Sequence, residues 1–276
     1  MTKPRIAVCF FGITRSLGYT VRTIDRQILR PISTIGEHKV FCHFFDQDSI
    51  VNERSGERGI LKRDEHKLLS PDWLELEEPD TFLGSRGFDD IKAFGDAWED
   101  GFRSLRNLVH QLHSLDKVTR AAEEWHPDLF VFVRPDLAYH HSLKRVLQSA
   151  LRCEGPVAFL PDWQHWEGGV NDRFAVCLPQ AAHVYGHRID QMAAYCNHVR
   201  GPLHGERLLK YTLIQNQIDL RLFWQKASRI RAGGTLWEED FSTGRAGRIQ
   251  RKLARLKFLV VRALWRMSNL GSSRRA

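Results

Sequence analysis

Arg134 and Asp136 stand one residue apart behind an apolar run, in a segment (residues 129–137) that reads LFVFVRPDL. A guanidinium and a carboxylate delivered together at the carboxyl end of a strand make either an internal salt bridge or a place for ligand chemistry. α/β proteins bind their ligands beyond the carboxyl ends of the strands. Further polar positions of this kind follow apolar runs or sit in adjacent loops: Asp162, the pair Asn171 and Asp172, and Glu206. Each alone is weak, because Asp and Asn are ordinary turn residues and Glu in a first helical turn is a good capping residue. A second chemical element is the loop GITRSLG that starts at Gly12. A loop between a first parallel strand and a helix offers backbone N–H groups to a phosphate or nucleotide. Arg15 adds charge, Ser16 adds a hydroxyl, and Gly12 either admits close backbone approach or makes a plain turn.

These side chains need strands to carry them. Residues 129–133 are all apolar and rich in Val and Phe, the pattern of a central strand covered on both faces. Pro135 has no N–H for a ladder, so pairing is expected to stop there. Residues 5–11 (RIAVCFF) read as a first strand, 21–32 as a helix and 39–45 (KVFCHFF) as a second strand. That order opens a βαβ unit and predicts an α/β fold with a mostly parallel central sheet and helices on both faces. Residues 46–92 show charge-rich patches without clear periodicity, read as a functional flap or a variable insert. A helical repeat runs through 93–125, with His110 and His113 assigned to its polar face. Beyond the central strand, a short helix (143–151), a strand (156–160), helices from Pro179 and from Gly205, and a last strand (219–223) are expected.

The chain has 276 residues, 42% hydrophobic and 27% charged, which argues against disorder. It holds no run of eighteen apolar residues, so no transmembrane helix is expected, and its start reads as a strand and not as a signal peptide. The five cysteines have no metal-binding spacing, which favours a reducing cytoplasm. The net charge of +8 is uneven: ten Lys and Arg follow Asp240 and no acid does, leaving residues 1–240 slightly acidic. The body is therefore not expected to bind nucleic acid. Placed on a helix, the tail puts Arg248, Arg251, Lys252, Arg255, Arg262 and Arg266 beside an apolar face with Phe258 and Trp265. That pattern reads as a basic amphipathic helix over 244–270 lying on an anionic membrane surface, or as a helix docked on the body with a solvated basic face. The chain thus divides into a domain over 1–240 and a tail over 241–276.

Taken in order, the motifs resemble bacterial polysaccharide and lipopolysaccharide glycosyltransferases of GT-A-like, Rossmann-related type. The likeness rests on the loop 6–16, the dyad His43-Phe44, the element 128–137, the segment Asn171 to Ala175 (NDRFA) and the helix start Gly205 to Lys210 (GERLLK). It spans about residues 5 to 225. The resemblance implies a nucleotide-sugar donor, bound by Gly12, Arg15, Ser16, His43, Arg134, Asp162 and Asn171. It implies a glycan or lipid-linked acceptor, Asp172 and Glu206 as catalytic carboxylates, and a peripheral place on the cytoplasmic face of the cell membrane.

The family's usual Asp-x-Asp element, which holds a divalent ion against the diphosphate, is Arg-Pro-Asp here. Two readings follow. Asp136 is a ligand for Mg²⁺ or Mn²⁺, hard ions that favour oxygen donors, or Arg134 clamps phosphate directly with its planar guanidinium. Trp163 and Trp166 stack on a sugar or cover a core edge. Two other classes compete: a sulfotransferase using a phosphosulfate donor, whose loop also carries an Arg-Ser pair, and a membrane-associated interaction domain without catalysis.

Overall fold

The computed structural model describes residues 3–52 and 56–241. The expected basic helix over 244–270 lies outside the described residues. The fold below is that of the unit ending at Glu239.

The chain runs through β1 (Arg5–Gly12), α1 (Leu17–Ile24), a π-helical stretch (Asp25–Leu29), α2 (Arg30–Ser33) and β2 (Glu37–Phe45). Pro31 has no N–H for the Gln27 carbonyl four residues back; that carbonyl accepts the Leu143 N–H instead, at 2.9 Å. β3 (Ser49–Asn52) and β4 (Glu57–Ile60) form a hairpin, and β5 (Trp73–Glu77) joins β2 in parallel. Then come α3 (Phe88–Lys92), the long α4 (Arg103–Glu123), β6 (Leu129–Val133), β7 (Leu137–Tyr139), α5 (Lys144–Ala150), β8 (Val157–Pro161) and β9 (Ala175–Cys177). α6 (Pro179–Gly186), α7 (Met192–Val199) and α8 (Gly205–Gln215) precede β10 (Asp219–Phe223) and β11 (Ala227–Arg229).

Seven strands form the main sheet in the order β10-β8-β9-β6-β1-β2-β5. Its pairs are parallel except those of β9, which runs antiparallel to β6 and β8. One face carries Ala7, Cys9, Phe11, Phe130 and Phe132 into a core with α4, α6 and α8. On the opposite face α2 packs on β2, and α5 packs on β8 and β9. The expected α/β sheet with helices on both faces is the fold observed. Removing five wholly buried apolar residues in β6 from water contributes on the order of 1.5–3 kcal/mol each.

Several boundaries differ from the sequence pattern, each for a local reason. Residues 46–92 hold a hairpin, the strand β5 and α3 rather than an irregular insert. In β5, Trp73, Glu75 and Glu77 are half-buried while Leu74 and Leu76 are exposed, an edge strand whose alternation runs against hydrophobicity. The helix expected over 93–125 starts only at Arg103. The Asp96 carboxylate accepts the N–H groups of Trp98, Asp100 and Phe102 at 2.8–3.0 Å and holds a loop ahead of it. His113, assigned to a polar face, is buried and lies flat on Phe82 with ring centroids 3.7 Å apart. The helix expected from Pro179 onward is two helices, α6 and α7, split by a 3₁₀ turn, Arg188–Gln191, that turns Arg188 into the interior. Among the described residues, no helix is long and apolar enough to cross a membrane.

Candidate active site at the carboxyl edge of the sheet

β1, β6 and β8 are aligned through parallel or doubly reversed pairings, so Gly12, Arg134 and Asp162 emerge at one edge of the sheet. Because β9 is reversed, the residues before it, Asn171 to Phe174, emerge at that same edge. The sheet therefore gathers the residues that the sequence spreads over 160 positions.

Arg134 and Asp136 form a two-point pair: Arg134 Nε donates to Oδ1 at 3.0 Å and Nη2 to Oδ2 at 2.8 Å. Arg15 Nη2 donates to the same Oδ2. Asp136 is only 3% exposed. Burial by itself would raise its pKa, but the two guanidiniums outweigh burial and hold the carboxyl far below the usual carboxylate range. Arg15 also binds Glu57 at 3.1 Å, and Glu57 accepts Arg231 Nη1 and the Ala232 N–H, both at 2.9 Å. Glu57 and Arg231 are residues that the sequence reading missed; one lies in the supposed insert and the other beyond the last expected strand.

This lattice holds donors that no group among the described residues satisfies. Arg15 Nε, Ser16 Oγ and Arg231 Nε are buried and lack hydrogen-bond partners among the described residues. Such groups cost roughly 1–3 kcal/mol each and call for an explanation; an anionic ligand supplies one. The backbone half of the expected phosphate loop is different. The Glu65 carboxylate accepts the N–H groups of Gly18 and Leu17, filling the start of α1 with an internal anion.

Asp172 and Glu206 meet on the other side of Arg134. The Glu206 pKa is pushed up to about 7 by burial and by the Asp172 charge, against the pull of Arg173 and Arg134. Gln111, on α4, joins the two halves: its Oε1 accepts Arg134 Nη1 at 3.4 Å, and its Nε2 donates to Asp172 Oδ2 at 3.3 Å. Loop 166–170 packs on the start of α8, where the Val170 N–H donates to the Glu206 carbonyl at 3.1 Å. Arg173 lies over the Trp163 ring, its centroid 4.9 Å away, and burial lowers its pKa to about 10.

The remaining expected site residues have structural duties. Asn171 makes the Asx turn, its Oδ1 accepting the Arg173 N–H at 3.0 Å and its Nδ2 donating to the Trp163 carbonyl at 2.7 Å. Asp162 follows β8, with its N–H on the Phe223 carbonyl at 2.8 Å. Trp163 is buried and covers a core edge, whereas Trp166 is half-exposed. His43 is not brought to the Arg134 group. It is buried beneath α4, bonded to Ser114 Oγ at 2.9 Å and Glu77 at 3.0 Å, and burial lowers its pKa to about 4. Gly12 supports the same interior group, its N–H donating to Ser114 Oγ at 2.8 Å.

The expected metal role of Asp136 does not fit this geometry. Both of its oxygens accept from guanidiniums, whose positive charge repels a divalent ion. Among the described residues, the groups with three converging imidazole or carboxylate ligands are His43, Glu77, His113 and Glu123, His183, His187. Neither includes Asp136.

No protein-family model matches the chain, and no curated protein matches it in sequence. Among solved structures, the chain is similar to mouse xyloside xylosyltransferase 1 in its apo form, at 10% identity and a TM-score of 0.44, covering 79% of this chain and 84% of that one. The activity is therefore read from the site's own residues.

Proposed function

We propose that this chain transfers a sugar from a nucleoside-diphosphate sugar to a hydroxyl of a glycan or lipid-linked acceptor, with arginines in the place of a metal ion at the diphosphate. The observation that carries this reading is the frame in which Gln111 ties the Arg134 guanidinium to Asp172, beside a Glu206 carboxyl that burial and the Asp172 charge push up to about 7. A carboxyl that titrates near neutrality is matched to accept a proton from an attacking hydroxyl. When the glycosidic carbon–oxygen bond breaks, its electrons pass to the diphosphate oxygen, and the new bond forms to the acceptor oxygen as its proton moves to Glu206. Arg134 and Arg15, already fixed by Asp136, supply positive charge where the leaving group becomes negative. A preorganised guanidinium costs little to arrange at that moment.

Asp172 has a different part. Its charge raises the affinity of Glu206 for a proton, while Gln111 ties it to the phosphate-clamping arginine. The basic segment 244–270, outside the described residues, would hold the protein against an anionic membrane carrying the acceptor.

The reading is tested with a panel of nucleoside-diphosphate sugars followed by thermal shift and by release of nucleoside diphosphate, with chelator present. A stabilised complex and turnover with one donor are expected; neither stabilisation nor turnover with any donor would leave a non-catalytic binding domain.

A further inference from the structure

Glu123, at the carboxyl end of α4, faces two histidines at the end of α6. His183 Nδ1 lies 2.9 Å from Glu123 Oε1, and His187 Nε2 lies 3.1 Å from Glu123 Oε2. The histidines are four residues apart, so one helical turn brings their rings to the same side, edge to face, with centroids 4.5 Å apart. The three ligand atoms lie within 4.8 Å of one another. We propose that Glu123, His183 and His187 form a zinc site, a two-imidazole, one-carboxylate set with its remaining position open to water.

The residue behind the ligands is the stronger argument. His187 Nδ1 lies 2.5 Å from Oδ1 of Asp116, which is wholly buried. A carboxylate only accepts, so Nδ1 carries a proton that it keeps on Asp116, while Nε2, which donates to Glu123 without metal, gives up its proton to bind zinc. A metal-bound histidine characteristically gives its other N–H to a carboxylate in this way. Asp116 is itself fixed, by Arg86 Nη2 at 2.5 Å and by Arg120 Nη2 at 3.1 Å, and Arg86 also reaches Asp190 at 3.4 Å. Its charge is thus balanced by the guanidiniums of Arg86 and Arg120, while Glu123 is held by the two imidazoles that would join it on the metal. His183 is 65% exposed on its side chain, so its Nε2 can face water while Nδ1 binds. Imidazole nitrogens with one carboxylate suit zinc and disfavour magnesium or calcium.

The second converging group does not have this arrangement. In His43, Glu77 and His113, Arg86 Nε donates to His113 Nδ1 at 3.2 Å. His113 therefore carries its proton on Nε2 and donates it to Glu77, leaving no lone pair for a metal. The zinc site is also remote from the transferase chemistry. Glu123 and Gln111 are twelve residues apart on α4, about 18 Å along the helix axis. Its part is to pin the end of α6 to the end of α4.

The test uses the full, tag-free chain stripped with chelator, titrated with ZnCl₂ by calorimetry and followed by thermal unfolding. One zinc ion per chain and a raised unfolding temperature are expected. Co²⁺ as a probe should give absorption without a thiolate charge-transfer band. His183→Ala, an exposed change, and Glu123→Gln should each weaken zinc binding by more than about 10-fold with an unchanged far-UV spectrum. Absence of zinc binding to the wild-type chain would overturn the proposal. So would equal zinc affinity in both variants, or a thiolate band placing the ion on a cysteine.

Discussion

One amide side chain joins Arg134 to Asp172: Gln111 accepts from the arginine at 3.4 Å and donates to the carboxylate at 3.3 Å. The guanidinium that would face the leaving diphosphate in the proposed reaction and the carboxylate beside Glu206 are thus held in one frame. A donor settling against Arg134 would be registered against the proposed proton acceptor, which is what an ordered displacement needs.

Replacing Glu206 by Gln separates chemistry from stability. Folding raises this carboxyl to about 7, so its charging costs stability; the cost is absent below the ordinary Glu range and complete above pH 7. Glu206→Gln is expected to gain on the order of 2 kcal/mol at pH 8 and to lose roughly 10²–10⁴ in kcat. The wild-type rate should rise with pH through about 7. Denaturant titrations at pH 5 and pH 8 with a pH–rate profile check both; a flat profile removes the base role.

Asp136 carries the opposite sign. Its folded pKa is depressed, so the stability it contributes is full above about pH 4, the unfolded carboxyl value, and is lost as the pH falls toward the folded value. Asp136→Asn leaves Arg134 without its carboxylate and Arg15 with Glu57 alone, and should cost about 3 kcal/mol at pH 7, with a smaller difference near pH 2. Equal stability of the two proteins at pH 7 would show that the pair contributes nothing net.

Gly169 supports Glu206 from below. A Cβ there would stand 2.4 Å from the Glu206 carbonyl carbon and 2.6 Å from its Cβ, so the helix start must shift. Gly169→Ala should cost about 1–3 kcal/mol and lower kcat more than it raises KM. Thermal unfolding and steady-state kinetics check this; unaltered kcat would mean that Glu206 is free to move without consequence.

The sequence carried the frame of this site because its signals are local. LFVFVRPDL declares a buried strand and a charged end with no tertiary information, and the first βαβ unit is equally direct. Long-range pairing was not legible. β9 is three residues long and gives no period, yet its reversal brings Asp172 to Arg134. Glu57 meets Arg15 and Arg231 only in the folded chain. His43 lies near the carboxyl end of β2, where a site residue could sit, but strand alternation points it under α4 rather than outward. Gln111 lies in α4, where the apolar repeat of its neighbours marks a core-packing helix and gives no sign of a polar link. The Arg-Pro-Asp element left two readings open, and the guanidiniums on both Asp136 oxygens, which bear on that choice, are visible only in the folded chain.

The most direct measurement is calorimetric binding of nucleoside diphosphates to the whole protein with EDTA present, for the wild type and Arg134→Gln. The arginine clamp predicts metal-free binding that weakens by at least about 10-fold, or 1.4 kcal/mol, in the variant. Binding that appears only when Mg²⁺ or Mn²⁺ is added, and that Arg134→Gln leaves unchanged, would contradict it.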